Sequence, residues 1–552
     1  MSNETVYLLM PEIILVLMAT LIYLGGAFLP SRPGWSWLAA AAIILAGVAL
    51  YQQGTTPAVQ AALENGLLSG PLAIDLFSAT LRWSILGVGL VFVMLAARTS
   101  EQGESSEFMG SLLAIVAGVM LVAVAGDLVT IFVGLELISI PTYVILFLGR
   151  GANLLEAGTK YFFLSILSSA LLLYGFSFLY GATGSTSLGE IRQALATARP
   201  DGPEMAAFAR LALILIFAGL GFRLTIVPFH FYAPDVYQGT TNPNAGLLAV
   251  VPKVAGLVAL VRITFVAMPG FERLGWQLSL ALAIVTMTLG NLLALWQGNV
   301  RRLMAYSSIA HAGYMLIGLA VGFAVARGAG EANHFDGVGA TFFYLLAYAA
   351  ATAGTFAALT YLSSAKRPIN TVDELAGLAQ HHPKTAAAIA LFMFSLTGLP
   401  PLAGFWGKFF LFTGALGVDA KSPDSSNLWP WFLALAVVGA VNAAISAAYY
   451  LRIVAAMYFR PPLVTPDARG GSGAAWAMAV CALLVLSIGF SPGPPLERSN
   501  RAARAARATF SQGSTAPAEP AAAVPRPARP SAQAQNRQRA LAIPSRGPVE
   551  LP

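Results

Sequence analysis

The sequence has few charged residues and a single cysteine, and each shortage excludes a class of protein. Charged side chains make up 10% of its 552 residues, against about 25% in soluble domains. A soluble globular protein, a coiled coil and a disordered chain are therefore excluded. One cysteine, Cys481, cannot build a disulfide framework or an all-cysteine zinc or iron–sulfur site. The five histidines are too scattered for a metal cluster, so we expect no cofactor and no metal in this chain.

The formal net charge of +7 comes almost entirely from the C-terminal tail. From Pro492 onward there are nine arginines and three glutamates, whereas the remaining 491 residues carry 23 basic and 22 acidic side chains. The body is nearly neutral, so nucleic-acid binding is not expected. The composition of the tail, 492–552, predicts disorder. The alternative is a basic surface helix on anionic lipid, formed by arginines that recur every three residues: Arg498, Arg501, Arg504 and Arg507.

Apolar residues make up 57% of the chain and are collected in long runs. A membrane-spanning helix needs roughly 20 such residues, and 14 runs are long enough. They lie near 6–29, 35–51, 72–97, 108–125, 127–149, 157–181, 208–229, 246–268, 276–296, 303–324, 338–362, 384–416, 430–458 and 473–491. The sequence therefore predicts an all-α polytopic membrane protein with about 14 transmembrane helices.

The basic residues of the loops predict the orientation, because cytoplasmic loops are enriched in Lys and Arg. With the N-terminus outside, the inner loops hold eleven basic residues and the outer loops, without the tail, about six. An even number of spans also returns the C-terminus to the outside. The arginine-rich tail then lies on the side that this rule disfavours, which is a conflict within the prediction.

Four ionisable residues fall inside apolar runs. They are Glu136 in span 5, Arg223 in span 7, Lys253 in span 8 and Lys408 in span 12. Together they imply an insertion cost of about 10 kcal/mol, so each one needs a structural or functional reason. Static ion pairs between helices are one alternative. Three cations and one acid cannot pair off evenly, however, so we predict that some of them transfer ions.

Two spans are interrupted by proline. Span 7 contains Pro228, and span 12 contains Pro400 and Pro401. Proline removes a backbone donor and frees carbonyl groups, which membranes tolerate only where they are buried in protein or line a wet cavity. The breaks lie five helices apart, each near a buried cation. This pattern is typical of inverted repeats in transporters.

Two histidines and two further arginines complete the set of unusual positions. His311, in span 10, is a candidate proton relay between the two lysines, because its unperturbed pKa lies near 6.5. His230, next to Pro228, is a weaker candidate, and a hydrogen-bonded core histidine is the alternative for both. Arg82 and Arg262 are expected to be structural and to reach the membrane interface by snorkelling.

Three segments resemble subunit N of the proton-pumping NADH:quinone oxidoreductases, respiratory complex I. They are GLGFRLTIVPFHFYAPDVYQGTTNPNAGLLAVVPKVAG, NVRRLMAYSSIAHAGYML and TGLPPLAGFWGKFFLF. The resemblance extends from about Met1 to Pro492 and ends at the tail. It implies 14 helices, with spans 4–8 and 9–13 as inverted repeats.

The resemblance also implies roles for single residues. Glu136 matches the buried glutamate of span 5, and Lys253 and Lys408 match the lysines of spans 8 and 12. Arg223 stands where the family usually has lysine, which is a departure from the family pattern. A guanidinium stays charged at physiological pH, so Arg223 is expected to be a fixed cation next to Glu136, or else a cap for carbonyls freed near Pro228.

The implied function is proton translocation, driven by quinone reduction in other subunits of an enzyme complex. The implied partners are the other membrane subunits, including sibling antiporter-like subunits, and the lipid bilayer. NAD, FMN, Fe-S clusters and quinone are expected in partner subunits, and the implied location is the bacterial cytoplasmic membrane. Alternatives are a subunit of a multisubunit Na⁺(K⁺)/H⁺ antiporter or membrane-bound hydrogenase, and a purely structural subunit of the membrane arm.

These inferences predict five segments along the chain. Residues 1–107 form a three-helix segment, 108–268 the first inverted repeat and 276–458 the second. Residues 473–491 form the last transmembrane helix, and 492–552 a disordered tail.

Overall fold

The computed structural model is almost entirely helical. It describes residues 3–29, 34–97, 105–149, 151–197, 203–326, 336–363, 368–418, 428–463, 466 and 468–512. Thirteen of the described helices are long and apolar enough to cross a membrane. Two shorter consecutive helices, Pro383–Thr397 and Ala403–Leu416, together form one further span. The predicted all-α membrane fold with 14 spans is therefore confirmed.

The N-terminal segment contains three spans and a short hairpin. Its elements are α1 Asn3–Leu8, α2 Met10–Phe28, α3 Trp35–Gly54, α4 Pro57–Asn65, β1 Leu67–Ser69, β2 Leu72–Ile74 and α5 Leu76–Ala96. The strands pair antiparallel, with Leu67 opposite Ile74. Asp75 caps α5 by accepting a hydrogen bond from the Ser78 amide at 2.7 Å, which explains why the helix begins directly after the hairpin.

The first repeat contains spans 4 to 8. Its helices are α6 Ser105–Ala123, α7 Leu128–Phe147, α8 Ala152–Thr183, α9 Leu188–Thr197, α10 Pro203–Leu224, α11 Tyr232–Gly239 and α12 Asn242–Val261. A π-helical segment, Arg262–Ala267, continues α12. Span 7 is divided between α10 and α11, and the residues between them include Pro228, as the sequence predicts.

The second repeat contains spans 9 to 13. Its helices are α13 Glu272–Ala294, α14 Val300–Ala326, α15 Gly337–Leu362, α16 Leu378–His381, α17 Pro383–Thr397, α18 Ala403–Leu416 and α19 Trp429–Phe459. Span 12 is divided between α17 and α18 at the predicted Pro400-Pro401 break. The last span is α20, Gly471–Phe490.

Burial separates a central group of helices from a peripheral one. The most apolar stretch of Asn242–Ala267 is entirely buried, whereas only a third of the corresponding stretches of α2, α3, α19 and α20 is buried. Central and peripheral helices are equally apolar, because lipid and protein interior are both apolar surroundings. The buried cation of span 8, Lys253, therefore lies at the centre of the bundle.

Small residues allow two helices of the second repeat to pack very closely. A Cβ atom on Gly290 of α13 would lie 2.7 Å from the Ala310 amide nitrogen of α14, and one on Gly313 would lie 2.6 Å from the Met287 amide nitrogen. Such close backbone approach is common between membrane helices. It fixes α14, which carries His311, against its neighbour.

The expectation that Arg82 and Arg262 snorkel to the interface is wrong. Arg82 is buried and pairs with Glu12 of α2 at 2.6 Å, and Arg262 is fully buried and pairs with Asp75 at 2.7 Å. The physical reason is that a neighbouring helix end supplies a carboxylate within reach of each guanidinium. A buried, hydrogen-bonded pair then replaces water around the charge.

The expectation of a disordered tail is wrong for its first part. Residues Gly493–Gln512 form a helix, α21, and the remaining predicted tail, 513–552, lies outside the described residues. Arg507 of α21 pairs with Asp336 at 3.0 Å, and Thr509 donates a hydrogen bond to Asp75 at 3.3 Å. Alanines on the same face, such as Ala502 and Ala506, are buried. Specific contacts with the bundle thus overcome a composition that is typical of disorder.

Candidate functional site

Glu136 and Arg223 meet at the interface of α7 and α10. The guanidinium Nη2 of Arg223 lies 3.4 Å from Glu136 Oε1, and its Nη1 donates a hydrogen bond to Ser139 Oγ at 2.9 Å. Ser169 of α8 donates a second hydrogen bond to the same carboxylate oxygen at 2.6 Å. Glu136 therefore has one cationic and one neutral partner. Its side chain is 24% exposed, whereas that of Arg223 is only 2% exposed.

Lys253 contacts the break in span 7. Helix α10 ends at Leu224, and Thr225 follows with a φ of 59°. The Lys253 ammonium donates a hydrogen bond to Thr225 Oγ1 at 2.7 Å, and this hydroxyl donates to the Leu224 carbonyl at 2.6 Å. A β-branched residue at positive φ is strained, and strain of this kind occurs mainly at functional sites. The break thus provides a polar partner for a lysine that is fully buried.

Lys408 contacts the break in span 12. Its ammonium donates hydrogen bonds to the carbonyls of Leu396 and Thr397 at 3.0 and 2.8 Å. These carbonyls lie at the C-terminal end of α17, where Gly398 adopts a φ of 93°. The ammonium also lies 4.9 Å from the centre of the Tyr314 ring, a favourable cation–π position. Carbonyls freed by the break and an aromatic face together hold the charge.

The two breaks share a short sequence pattern. Residues 224–228 are Leu-Thr-Ile-Val-Pro and residues 396–400 are Leu-Thr-Gly-Leu-Pro. In each repeat a buried lysine donates to the Leu-Thr pair of this pattern, through the threonine hydroxyl in the first and through backbone carbonyls in the second. Sequence analysis did not identify Thr225 or Thr397 as site residues. The repeated Leu-Thr-x-x-Pro pattern is the signal that could have identified them.

His311 lies in a ring of tyrosines. Its Nδ1 is 2.5 Å from the Tyr344 hydroxyl, and its Nε2 is 2.9 Å from the Tyr450 hydroxyl. The Tyr314 ring, centred 6.0 Å from the His311 ring, is the one that the Lys408 ammonium contacts. The Tyr348 ring, centred 4.9 Å from that of His311, belongs to a residue whose hydroxyl donates to the Ala249 carbonyl on the helix of Lys253. A histidine with hydrogen-bonding partners on both ring nitrogens can pass a proton from one side to the other.

The structure connects some predicted site residues and leaves others separate. Glu136 and Arg223 form a pair, but no hydrogen bond or ion pair among the described residues joins Glu136 directly to Lys253. His230 lies half-buried between α10 and α11, and no such contact in the described part of the chain joins its side chain to the four membrane charges. Sequence analysis also missed Ser139, although it lies one helical turn after Glu136 and hence on the same face.

The described residues offer no cluster of metal ligands. Across the described ranges, no group of three or more His, Cys, Asp or Glu side chains is placed to hold a metal ion. The site therefore consists of lysine, arginine, glutamate, histidine and hydroxyl groups. Such groups transfer protons and bind ions electrostatically.

Comparisons with known proteins agree with this geometry. The family model described as "NADH:quinone oxidoreductase/Mrp antiporter, TM" matches residues 125–422. NADH-quinone oxidoreductase subunit N of Trichlorobacter lovleyi is 36% identical over 459 residues, which are 82% of this chain and 87% of the relative. Subunit N of Myxococcus xanthus is 35% identical over 518 residues, 88% of this chain and 95% of the relative. The chain belongs to the NADH-quinone oxidoreductase subunit N family.

Solved structures place the same fold in several assemblies. A chain of respiratory complex I from Thermus thermophilus has a TM-score of 0.69 and 33% identity, covering 88% of this chain and 98% of that one. A chain of the Mrp complex from Dietzia has a TM-score of 0.72 at 21% identity, covering 91% of this chain and 98% of that one. At that identity the second similarity shows the fold alone. The predicted resemblance to subunit N is thus confirmed, and the antiporter alternative is less well supported.

Proposed function

We propose that this chain is a proton-translocating membrane subunit of an NADH:quinone oxidoreductase. The observation that carries the proposal is the pair of broken helices, each bound by a buried lysine. A static scaffold has no need for two lysine ammoniums at membrane depth without a carboxylate partner among the described contacts, because each adds an insertion cost of about 3 kcal/mol. NAD, FMN, Fe-S clusters and quinone would be held by other subunits.

In the proposed mechanism, Glu136 is the movable partner of two cations. In the structure, Glu136 contacts Arg223, and Lys253 contacts the neutral Thr225 hydroxyl. Approach of the carboxylate to Lys253 would stabilise the charged lysine, and its return to Arg223 would remove that stabilisation. The proton released by Lys253 would pass through His311 towards Lys408, which we propose as the exit. His230, beside Pro228, is a further candidate for proton transfer at the break.

A neighbouring subunit is proposed to cover Glu136. The carboxylate is partly exposed on α7, where its exposed neighbours Val133 and Ile140 are apolar and 50% and 58% exposed. A carboxylate facing hydrocarbon is costly, so protein is the more favourable cover. Sibling antiporter-like membrane subunits are the proposed partners at this face, in the bacterial cytoplasmic membrane.

The function is tested by purifying the native assembly through an affinity tag on this chain. We expect NADH oxidation coupled to quinone reduction, proton uptake into reconstituted vesicles, and partner subunits that include flavin and iron–sulfur proteins. Mass spectrometry identifies the partners and absorbance follows the reaction. Recovery of an assembly without flavoprotein that exchanges Na⁺ for H⁺ would instead support the antiporter alternative. Recovery of an assembly with hydrogenase subunits would support the membrane-bound hydrogenase alternative.

Arg223 is expected to act as a fixed cation. Its described hydrogen bonds go to side chains, none to a backbone carbonyl, which weakens the alternative that it caps the Pro228 break. We expect Arg223→Lys to pump nearly as well as the wild type, because one ammonium retains the charge next to Glu136. We expect Arg223→Met to pump slowly and with a shifted pH profile. Proton uptake measured across a pH series checks both variants.

A matched control is available on the same helix. Arg210 of α10 is exposed, so Arg210→Met removes one arginine without touching the Glu136 pair. Normal pumping by Arg223→Met, with a pH profile identical to that of Arg210→Met, would rule out an electrostatic role for Arg223.

The orientation of the chain remains a proposal with both termini outside. We expect Glu64→Cys to react with an impermeant maleimide from outside, and His381→Cys to react only after the membrane is opened. Both side chains are exposed, whereas the natural Cys481 is buried and can be replaced by serine. Labelling of intact cells followed by a mass-shift gel is the measurement. The reverse labelling pattern would invert the orientation.

A further inference from the structure

A large apolar cavity lies between the N-terminal segment and the second repeat, and none of the four membrane charges is among its lining residues. Its volume is about 700 Å³. Helices α3, α5, α15 and α21 surround it, and Val254 of α12 closes its inner wall. The wall is formed mainly by the apolar side chains Phe77, Leu81, Phe342, Leu345 and Leu346.

The depth of the cavity matches one leaflet of a membrane. Along α5 its lining extends from Phe77, at the start of the helix, to Val88. Eleven residues of α-helix span about 16 Å, which is about half of a hydrocarbon core of ~30 Å. The cavity therefore occupies the leaflet next to the N-terminal end of α5, and it has the dimensions and the apolar wall that a lipid chain needs.

Three of the polar side chains that line this apolar space bear on its ligand. Arg498 and Ser499 lie on α21. Thr80 lies on α5, and its hydroxyl oxygen is buried without a hydrogen-bonding partner among the described residues. An unpartnered buried hydroxyl is costly, so the position favours a ligand that brings an oxygen acceptor into the cavity.

The exposed side of α21, the helix at one end of the cavity, carries positive charge. Arg498, Arg501 and Arg504 lie three residues apart on the exposed side of α21, whereas the next arginine of the series, Arg507, turns inward to Asp336. Trp83, about two turns into α5, also lines the cavity and remains 42% exposed. Arginine binds phosphate through paired hydrogen bonds.

We propose that this cavity binds one anionic phospholipid. An acyl chain lies between α5 and α15, an ester oxygen accepts a hydrogen bond from Thr80, and the phosphate binds Arg498. A neutral isoprenoid quinone would fill the apolar space but would leave Arg498 without an anionic partner among the described residues. The bound lipid would connect α21 to the rest of the bundle. This site does not depend on the proposed proton path.

Photocrosslinking in the assembled complex tests the proposal. The complex is placed in phosphatidylcholine nanodiscs that contain phosphatidylglycerol with a diazirine at the middle of one acyl chain. After irradiation, we expect adducts within 77–88 and 342–349, mapped by mass spectrometry. Excess unlabelled phosphatidylglycerol should remove them, and excess phosphatidylcholine should not.

Three variants give the matched comparison. Arg498→Gln should reduce the adducts about tenfold, because it removes a charge-assisted contact. Arg504→Gln lies on the same exposed side of α21 but does not line the cavity, and it should leave the adducts unchanged. Leu345→Trp fills the cavity and should abolish them. Assembly of each variant is checked on a native gel.

Several results would overturn the proposal. Equal adducts in the wild type and in an assembled Leu345→Trp would mean that the lipid labels only the outer surface. Equal loss in Arg498→Gln and Arg504→Gln would mean that the phosphate has no defined position. Displacement of the adducts by ubiquinone, but not by phosphatidylglycerol, would identify a quinone site instead. If Leu345→Trp does not assemble, the adduct yields of Arg498→Gln and Arg504→Gln still test whether the lipid phosphate binds Arg498.

Discussion

Proton pumping is expected to fall by about a hundredfold in Lys253→Met, the size of effect typical of a lost proton-transfer group. Methionine keeps most of the volume of lysine in this fully buried position, but it cannot hold a proton or donate to Thr225. Quinone reductase activity coupled to pumping should fall as well. Acidification of reconstituted vesicles, together with NADH oxidation, measures both effects.

Glu136→Gln is also expected to lower proton pumping. Glutamine retains a partner for Ser169 but removes the negative charge that we propose to move between Arg223 and Lys253. Glu156→Gln is the matched control, because Glu156 of α8 is 63% exposed and its ion pair among the described residues is with Lys160 on the same helix. Both Glu136→Gln and Lys253→Met should assemble with their partners. Wild-type pumping by either variant would mean that the substituted residue, Glu136 or Lys253, has only a structural role.

Lys408 is expected to give the second large effect. Lys408→Met should lose most proton transfer, because the carbonyls of Leu396 and Thr397 lose their donor and no proton carrier remains at the break. Lys408→Glu should be much less affected, since a carboxyl group can still bind and release a proton. Proton transfer in reconstituted vesicles, measured at equal protein content, compares the two variants.

The same broken span supplies the control. Lys384 of α17 is exposed near the start of that helix, so Lys384→Met tests a lysine loss at a distance from the break. It should pump normally. Equal activity of Lys408→Met and Lys408→Glu would show that no proton passes through this position, and Lys408 would then be a cap for the freed carbonyls.

The charged residues were predictable because the membrane penalises them. Glu136, Arg223, Lys253 and Lys408 each stood out within an apolar run, and each lies in a helix or break of the two repeats. Their partners were not predictable in the same way. Hydroxyl and carbonyl groups such as those of Thr225 and Leu396 are inexpensive in membrane helices, since a helix satisfies them locally, and so they give no signal in the sequence.

The tail and the two buried arginine pairs show the opposite case, where composition misled. Arg82 and Arg262 were expected to reach water, yet Glu12 and Asp75 provide buried partners. Composition also predicted disorder for residues that form α21. In each case the deciding contact joins residues that are far apart in the chain, as Thr509 and Asp75 are. Sequence periodicity does not report such contacts.

The sequence by itself determined the number of spans, the positions of both breaks and the residues that carry charge into the membrane. Each of these follows from a local property, namely the length of an apolar run, a proline, or the cost of an isolated charge in hydrocarbon. Only the tertiary structure decided which charges meet, because that depends on helix packing. It placed Glu136 with Arg223 rather than Lys253 and bound both lysines to the helix breaks. It also folded α21 over the cavity, since burial of its small-residue face outweighs the disorder that its composition predicts.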